Sequence, residues 1–177
     1  DEIARKHGAT VIKEPRQGKG FVVERMFERI DADYYVMVDG DDTYPADYVH
    51  QLLTPVLGGE ADMTVGARLS DYSEKSFRPL HVFGNNLIRM LVNWVGSSKL
   101  TDILSGYRVF NRRVVECIPV VSSGFEVETE MTIQMLYYRL KIVEVPIPYK
   151  ARPEGSESKL KTFQDGFKVL WKIFSLF

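Results

Sequence analysis

The sequence predicts an α/β fold in which a mostly parallel sheet is flanked by helices. The apolar run at residues 34–38 is followed at once by three aspartates and Pro45. This pattern is typical of a strand that is buried on both faces and ends in a tight turn before a helix. Residues 9–13 have the composition of a short strand, and residues 20–31 repeat apolar side chains at helical spacing. Together these segments predict a β-α-β unit, whose two strands run parallel.

Helices and strands continue to alternate along the chain. The predicted helix at residues 45–57 places Val49, Leu52, Leu53 and Val56 on its inner face. The later elements are a strand at residues 63–67, a helix at 85–95, a turn at 102–108 that leads into a strand at 109–110, a helix from 126 to about 140 and a strand at 142–148.

The composition is that of an ordinary globular domain, with 45% hydrophobic and 27% charged residues among 177. The formal net charge of −1 provides no basic field, so nucleic acid is not expected as a partner. Cys117 is the only cysteine. No internal disulfide can therefore form, and a reducing compartment is expected.

Asp39, Asp41 and Asp42 follow the first long apolar run, at the edge where open α/β sheets bind ligands. Carboxylates in one turn repel each other unless a cation lies between them. A hard divalent ion such as Mg²⁺ or Mn²⁺, held partly by substrate phosphates, suits these oxygens; a solvated acidic loop is the structural alternative. An EF-hand calcium loop is excluded, because Tyr44 and His50 stand where that loop requires glycine and glutamate.

Two further segments carry candidate ligand contacts. Gly18 and Gly20 flank Lys19 in a loop, and glycines at this spacing suit a backbone that lies close to a ligand. Arg68 follows the strand at residues 63–67, at the same edge as the aspartates. An arginine there can pair with a phosphate or with the acids, or it can simply be a surface residue.

The tail differs in character from the rest of the chain. From residue 150 to residue 172 there are six basic and three acidic residues. A basic amphipathic helix rich in aromatic residues indicates binding to a membrane surface, with docking on the domain's own core as the alternative. Lys172 interrupts the apolar stripe, so the segment cannot span about 30 Å of hydrocarbon. The stripe consists of Phe163, Phe167, Leu170, Phe174 and Phe177.

Six motifs occur in a fixed order along essentially the whole chain. Each is weak alone, but the ordered set at these spacings is specific. In chain order they are Gly18-Lys19-Gly20, Asp39-x-Asp41, Gly66-Ala67-Arg68, Asp102-x-x-Ser105-Gly106-Tyr107-Arg108, Phe125-Glu126-Val127-Glu128 and Arg152-x-x-Gly155-Ser156-x-Ser158-Lys159-Leu160. The set resembles family 2 glycosyltransferases of the GT-A fold, in particular the branch that includes dolichyl-phosphate mannose synthase and bacterial polyprenyl-phosphate hexosyltransferases.

The resemblance implies a nucleotide-sugar donor whose diphosphate is bridged by Mg²⁺ or Mn²⁺ on Asp39 and Asp41. Thr43 stands where several synthases carry a glutamine ligand, and it could offer an oxygen as the third metal ligand. The resemblance also implies that the donor is bound by Lys19, Asp39, Gly40, Asp41 and Arg68, that the acceptor phosphate is bound by Arg108, Arg152, Ser158 and Lys159, and that the catalytic residues are Asp39, Asp41 and Arg152.

The chain departs from the family at its start. The family opens with a strand that carries a Val-Pro-Ala-Tyr-Asn-Glu type motif and with a second strand that ends in Asp, and neither is present. We therefore expect an N-terminal piece to be missing and the nucleotide pocket to be incomplete. Residues 1–150 would then be a partial GT-A domain, and residues 151–177 the acceptor loop and the amphipathic helix.

The implied function is transfer of a hexosyl group from a UDP- or GDP-sugar to a polyprenyl or dolichyl phosphate, with inversion, in cell-envelope biogenesis. The expected location is the cytoplasmic face of a membrane, with peripheral binding or a following transmembrane segment as the anchor. A lipid phosphate needs no general base, since its second pKa is about 6 and it is already ionised at neutral pH.

Other functions are compatible with parts of the pattern. A family 2 transferase that acts on a hydroxyl, as in polysaccharide synthesis, would need a general base, for which Asp102 or Glu128 is available. A non-catalytic membrane-docking module is a second alternative. A phosphohydrolase of the haloacid dehalogenase type would share Asp39-x-Asp41-x-Thr43, but no second acidic pair follows a later strand.

Overall fold

A computed structural model describes residues 1–69 and 79–151 of the chain, together with residues 153, 155 and 171; at residues 79–85 and 95 it describes the backbone alone. In chain order the elements of this part are α1 (Glu2–Lys6), α2 (Lys19–Arg29), β1 (Tyr34–Met37), a 3₁₀ turn (Ala46–Tyr48), α3 (Val49–Leu57), β2 (Met63–Arg68), α4 (Pro79–Gly96), β3 (Arg108–Asn111), α5 (Arg112–Cys117), α6 (Val127–Tyr137) and β4 (Ile142–Ile147).

The four strands form one mixed sheet in the order β1-β3-β2-β4. β3 is antiparallel to both of its neighbours, and Arg108 lies opposite Met37 of β1 and Val65 of β2. β2 and β4 are parallel, with Arg68 opposite Ile147. β1, β2 and β4 therefore run in one direction and β3 in the other. The predicted α/β fold with flanking helices is confirmed, and the sheet within it is mixed.

Helices cover both faces of the sheet. On one face α2, α5 and α6 pack against the strands through a cluster that includes Val23, Phe110 and Met131. On the other face α3 packs through Leu52 against Val109 of β3. A third, smaller cluster joins α4 to α6. None of the helices described over residues 1–69 and 79–151 is both long and apolar enough to cross a bilayer.

β1 is buried on one face only, which corrects the prediction of a strand buried on both faces. Tyr35 and Met37 lie in the cluster with α2 and α6, whereas Tyr34, Val36 and Val38 are exposed. The reason is the place of β1 at the edge of this sheet. The cluster under α3 contains residues of β3 and β4 but none of β1, so α3 does not cover the second face of β1.

Residues 9–13 do not form a strand, so the prediction of a β-α-β unit is wrong for this part of the chain. The segment pairs with no strand among the described residues, and most of its side chains are exposed. Strand propensity produces a strand only where a neighbour completes the backbone hydrogen bonds. The predicted elements from residue 20 to residue 148 are present, although α4 begins earlier than expected, at Pro79. The predicted amphipathic helix of the tail lies outside the described residues.

Leu52→Ala should destabilise the domain strongly. Leu52 has no exposed surface and joins α3 to the sheet, and truncation of a buried leucine costs about 2–5 kcal/mol through lost burial and the remaining cavity. Leu57→Ala is the matched control, because Leu57 ends the same helix and is exposed. Urea unfolding should show a large fall in midpoint for the first variant only; equal falls would place Leu52 outside the core.

Candidate active site

The C-terminal ends of β1, β2 and β4 lie at one edge of the sheet, because these strands run in the same direction. β3 runs the other way and therefore begins at this edge, directly after the turn at residues 102–107. The loop at residues 38–45, here called the aspartate loop, leaves β1 at the same place. Since α/β sheets bind ligands beyond the carboxyl ends of their strands, this edge is the candidate active site.

Asp39 is held between a lysine and a glycine. The Nζ atom of Lys19 lies 2.5 Å from Oδ1 of Asp39, and the backbone of Gly106 lies directly against the carboxylate. A Cβ atom at residue 106 would be 2.7 Å from Cγ of Asp39, which is closer than side chains approach. Only glycine therefore fits at this position unless the aspartate moves.

The ammonium of Lys19 bridges two carboxylates, because it also contacts Glu128. Lys19 begins α2 and Glu128 lies in the first turn of α6. Burial acts to lower the pKa of Lys19, but the charges of Glu128 and then Asp39 outweigh burial and raise this pKa. Burial raises the pKa of Glu128, and the Lys19 ammonium opposes that rise. Lys19 is therefore charged at neutral pH and serves as the counter-ion of both acids.

Gly18 and Gly20 allow α2 to begin against another backbone segment. A Cβ atom at either position would collide with a carbonyl oxygen of Ser123 or Ser122, and the N–H of Gly20 donates to the carbonyl of Ser123 over 3.1 Å. The sequence predicted that these glycines approach a ligand, whereas in the structure they approach the loop before α6. The contact fixes the start of α2 relative to the start of α6.

Asp41 is oriented by Thr43. The hydroxyl of Thr43 donates to Oδ1 of Asp41 over 2.6 Å, and its N–H approaches the same oxygen at 3.3 Å. Thr43 has no exposed surface, and its carbonyl accepts the N–H of Lys150 over 2.9 Å. Thr43 therefore supports the carboxylate of Asp41, and its role as a third metal ligand stays a prediction.

The aspartate loop fits a divalent ion that shares its coordination with a substrate. Asp39 and Asp41 offer hard carboxylate oxygens, and both residues are only partly buried. The described part of the chain contains no group of three or more His, Cys, Asp or Glu side chains arranged to hold a metal. Two carboxylates do not make a closed protein site, but Mg²⁺ is ordinarily bound by one or two carboxylates together with substrate phosphates and water.

Arg68 pairs with Asp102, not with the aspartate loop. Its Nε and Nη2 atoms donate to the two carboxylate oxygens over 2.6 and 2.8 Å, and its backbone N–H donates over 3.1 Å. The guanidinium also lies over the ring of Tyr149. Burial acts to raise the pKa of Asp102, but the hydrogen bonds and charge of Arg68 outweigh burial and lower it. Asp102 is therefore an ionised carboxylate whose charge is neutralised by Arg68.

Glu144 of β4 holds the backbone that carries Asp102. Its carboxylate accepts the N–H groups of Thr101 and Asp102 over 2.8 and 2.7 Å, and it also accepts the hydroxyl of Thr101. The sequence analysis did not single out this residue. A signal was present, because Glu144 is the one charged residue in the otherwise apolar strand β4, and a charge within such a run requires a partner.

Tyr44 connects the aspartate loop to the turn before β3. Its hydroxyl accepts the N–H of Gly106 over 2.9 Å, and its ring packs edge-on against Tyr107 and Tyr149. The residue is buried. The sequence analysis missed it as well, and no local pattern marks it, because its three partners follow it by more than sixty residues.

Arg108 lies in the interior, which contradicts its predicted contact with the acceptor phosphate. It has no exposed surface. Its guanidinium donates to the carbonyls of Ile103 and Ser105 over 2.7 and 2.9 Å and to the hydroxyl of Thr132 over 3.0 Å. Protein acceptors thus take up these donors, and Arg108 stabilises the turn before β3.

The remaining predicted site residues divide into two groups. Gly40 is exposed in the aspartate loop, and a Cβ atom there would meet no atom within 4 Å. Arg152, Ser158 and Lys159 lie outside the described residues, so their contacts with an acceptor phosphate stay predictions. Among the predicted donor-site residues, Lys19 contacts Asp39. Arg68 lies at the same edge of the sheet but pairs with Asp102.

The mixed sheet, its flanking helices and the acids at its edge define an α/β domain with a candidate ligand site, and comparison with known proteins identifies it as a glycosyltransferase. A family model described as glycosyl transferase family 2 matches residues 1–119, and the chain belongs to that family. The glycosyltransferase AglJ of Haloferax volcanii is 33% identical over 174 residues, which cover 98% of this chain and 57% of AglJ. A dolichyl-phosphate hexose transferase of the same organism is 34% identical over 169 residues, which cover 95% of this chain and 72% of that protein.

A solved structure shows the same fold. Glucosyl-3-phosphoglycerate synthase from Mycobacterium tuberculosis, in complex with Mn²⁺, UDP-glucose and phosphoglyceric acid, matches with a TM-score of 0.75 and 20% identity. The match covers 99% of this chain and 63% of the synthase. The predicted GT-A fold is thereby confirmed. The chain spans only part of the length of AglJ and of the synthase.

Asp102→Asn should remove a pH-dependent part of the stability. The lowered pKa of Asp102 means that its carboxylate stabilises the fold above its ordinary pKa of about 3.9, and that this contribution is lost as pH falls through the lower folded pKa. At neutral pH the variant should lose about 1–3 kcal/mol of unfolding free energy. The difference from the wild type should shrink as the pH falls well below about 3.9.

Urea unfolding across that pH range measures this difference. Asp31→Asn is the matched control, because Asp31 forms an ion pair with Arg112 that is largely exposed, and exposed pairs contribute little. If the gap between the Asp102 variant and the wild type were the same at every pH, the ion pair with Arg68 would not be the source of the stability.

Proposed function

We propose that this chain is part of a metal-dependent hexosyltransferase that uses a UDP- or GDP-sugar as donor and a polyprenyl or dolichyl phosphate as acceptor, with inversion. The observation that carries the proposal is the aspartate loop at the end of β1, where only Gly40 separates Asp39 from Asp41 and Lys19 brings a positive charge to Asp39. This combination of oxygens and a cation is suited to a diphosphate that leaves with negative charge.

The residues of the aspartate loop would bind and orient the donor's diphosphate. Mg²⁺ or Mn²⁺ on Asp39 and Asp41 would neutralise the negative charge that develops as the diphosphate departs. Thr43 keeps Asp41 in one orientation through its hydrogen bond, and Gly106 leaves room for the carboxylate of Asp39. Lys19 adds a second positive charge beside the same aspartate, within reach of an anionic ligand.

Asp102 and Glu128 both contact cations of the protein, and this favours a phosphate acceptor over a hydroxyl. A hydroxyl acceptor requires a general base, and a carboxylate can serve as that base only if the hydroxyl can reach it to give up its proton. Asp102 is paired with Arg68 and has a lowered pKa. Burial raises the pKa of Glu128, but its side chain is only 4% accessible and contacts the Lys19 ammonium, so a hydroxyl acceptor has little access to it. A lipid phosphate, ionised at neutral pH with a second pKa of about 6, needs no such base.

The family relatives support the same class of acceptor. The Haloferax protein described as a dolichyl-phosphate hexose transferase is 34% identical to this chain. By the sequence motif, Arg152, Ser158 and Lys159 would hold the acceptor phosphate, and the basic amphipathic segment within residues 151–177 would lie on the cytoplasmic surface of a membrane. Two anionic reactants would then be brought together by positive charges on both sides, and their alignment would supply much of the rate.

Asp41→Ala should abolish transfer in the intact enzyme while the fold is retained. The substitution removes one of the two carboxylates of the aspartate loop, and loss of one stabilising group for developing charge lowers kcat by about 100-fold or more. Transfer of labelled hexose from UDP- and GDP-sugars to a polyprenyl phosphate measures activity, and circular dichroism checks the fold. Asp47→Ala is the control, because Asp47 is exposed in the following 3₁₀ turn. Near-normal transfer by the Asp41 variant would defeat the metal assignment.

Arg152→Ala should impair use of the acceptor more than binding of the donor. A charged hydrogen bond to a phosphate is worth about 1.5–3 kcal/mol, so KM for the polyprenyl phosphate should rise about tenfold or more while KM for the nucleotide-sugar changes little. Arg113→Ala is the control, because Arg113 is exposed and lies near Asp62. Asp62 precedes β2, whereas the candidate active site lies at the other end of that strand, where Arg68 stands. Equal losses for both substrates would assign Arg152 to the donor.

A further inference from the structure

The ion cluster of Lys19, Asp39 and Glu128 joins the aspartate loop to the interior. Lys19 lies 2.5 Å from Oδ1 of Asp39 and also contacts an oxygen of Glu128. The three side chains differ in exposure, with 33% of Asp39, 18% of Lys19 and 4% of Glu128 accessible. The ammonium therefore has a buried acid on one side and a partly open acid on the other.

The inner half of this cluster is built into the fold. Glu128 lies in the first turn of α6, and Gly20 at the start of α2 is hydrogen-bonded to Ser123 in the loop before that helix. Arg108 adds a second positive charge that acts on Glu128 from the interior. Glu128 therefore keeps a cationic neighbour even when Lys19 moves, and it is placed to hold the lysine side chain on this side of the site.

The contact between Lys19 and Asp39 conflicts with binding of a metal ion at Asp39. A divalent ion on Asp39 and Asp41 would lie next to the Lys19 ammonium, and two positive charges at such a distance repel each other. A diphosphate changes this balance, because its negative charge attracts both the metal and the lysine. A lysine can move from the aspartate to the diphosphate, since its ammonium group has three hydrogen-bond donors and is carried on a flexible side chain.

We propose that Lys19 is an internal counter-ion that neutralises Asp39 in the absence of donor and moves onto the diphosphate when the donor binds. Glu128 is the positioning residue that retains the lysine in both states. The consequence is positive coupling: a metal ion alone binds weakly because Lys19 occupies Asp39, and the diphosphate relieves this competition. This inference rests on the proposed metal-dependent function, since it takes Asp39 and Asp41 as the metal ligands.

The test measures Mn²⁺ binding to the intact protein, by the electron paramagnetic resonance signal of free Mn²⁺, without nucleotide and with saturating UDP or GDP. The ratio of the two dissociation constants is the coupling factor. For Lys19→Met we expect tighter binding of Mn²⁺ alone and weaker binding with the nucleotide, so that the coupling factor falls about tenfold, within the usual range for linked sites. Lys19→Arg retains the charge and should restore most of the coupling.

Two controls keep the outcomes distinct. Lys13→Met removes one positive charge from an exposed lysine that is paired with Asp1, and it should leave the coupling factor unchanged. If Lys19→Met fails to fold because Glu128 loses its partner, the double variant Lys19→Met with Glu128→Gln removes both charges and is judged by the same criterion.

A coupling factor that is equal in the wild type and the Lys19→Met protein, or weaker binding of Mn²⁺ alone by that variant, would overturn the counter-ion role and leave the metal site standing. A wild type that binds no Mn²⁺ even with UDP or GDP would overturn the metal assignment, and the counter-ion role with it.

Discussion

The buried guanidinium of Arg108 is the interaction on which the candidate active site depends. Arg108 is the first residue of β3, and its backbone lies between Met37 of β1 and Val65 of β2. Its side chain donates to two carbonyls of the preceding turn and to Thr132 of α6. One residue therefore ties three strands, a helix and a turn together at the edge where the aspartate loop begins. Loss of these donors would leave several buried acceptors without partners, which is costly in a protein interior.

The site that this frame supports places a cation beside each of three carboxylates. Lys19 lies between Asp39 and Glu128, and Arg68 matches Asp102. Membership of glycosyl transferase family 2 gives these contacts a chemical context, because the diphosphate of the proposed donor would bring further negative charge for the cations to share. The same contacts leave Asp102 and Glu128 each beside a cation.

The sequence predicted the parts of the molecule that depend on local pattern. Apolar spacing located the longer helices α2, α3, α4 and α6 but not α1 or α5. The acids after an apolar run located the aspartate loop, because burial and turn chemistry act over a few residues. The direction of β3 and the edge position of β1 were not predictable in this way, since hydrophobic pattern reports burial but does not identify the neighbouring strand. The burial of Arg108, which the family resemblance placed at the acceptor phosphate, was not predictable either. A charged residue is rarely buried, and the acceptors that permit its burial include Thr132, which is distant in sequence.

The antiparallel strand at the centre of the sheet also bears on how the chain reaches its native state. β3 pairs Asn111 with Tyr34 and Phe110 with Met63, so the ladders that align the aspartate loop connect segments far apart in the chain. Pairings of high contact order require closure of long loops and form slowly. We therefore expect the helices to develop before Asp39 and Asp41 acquire their neighbours, so that this edge of the sheet is among the last regions to be completed during folding.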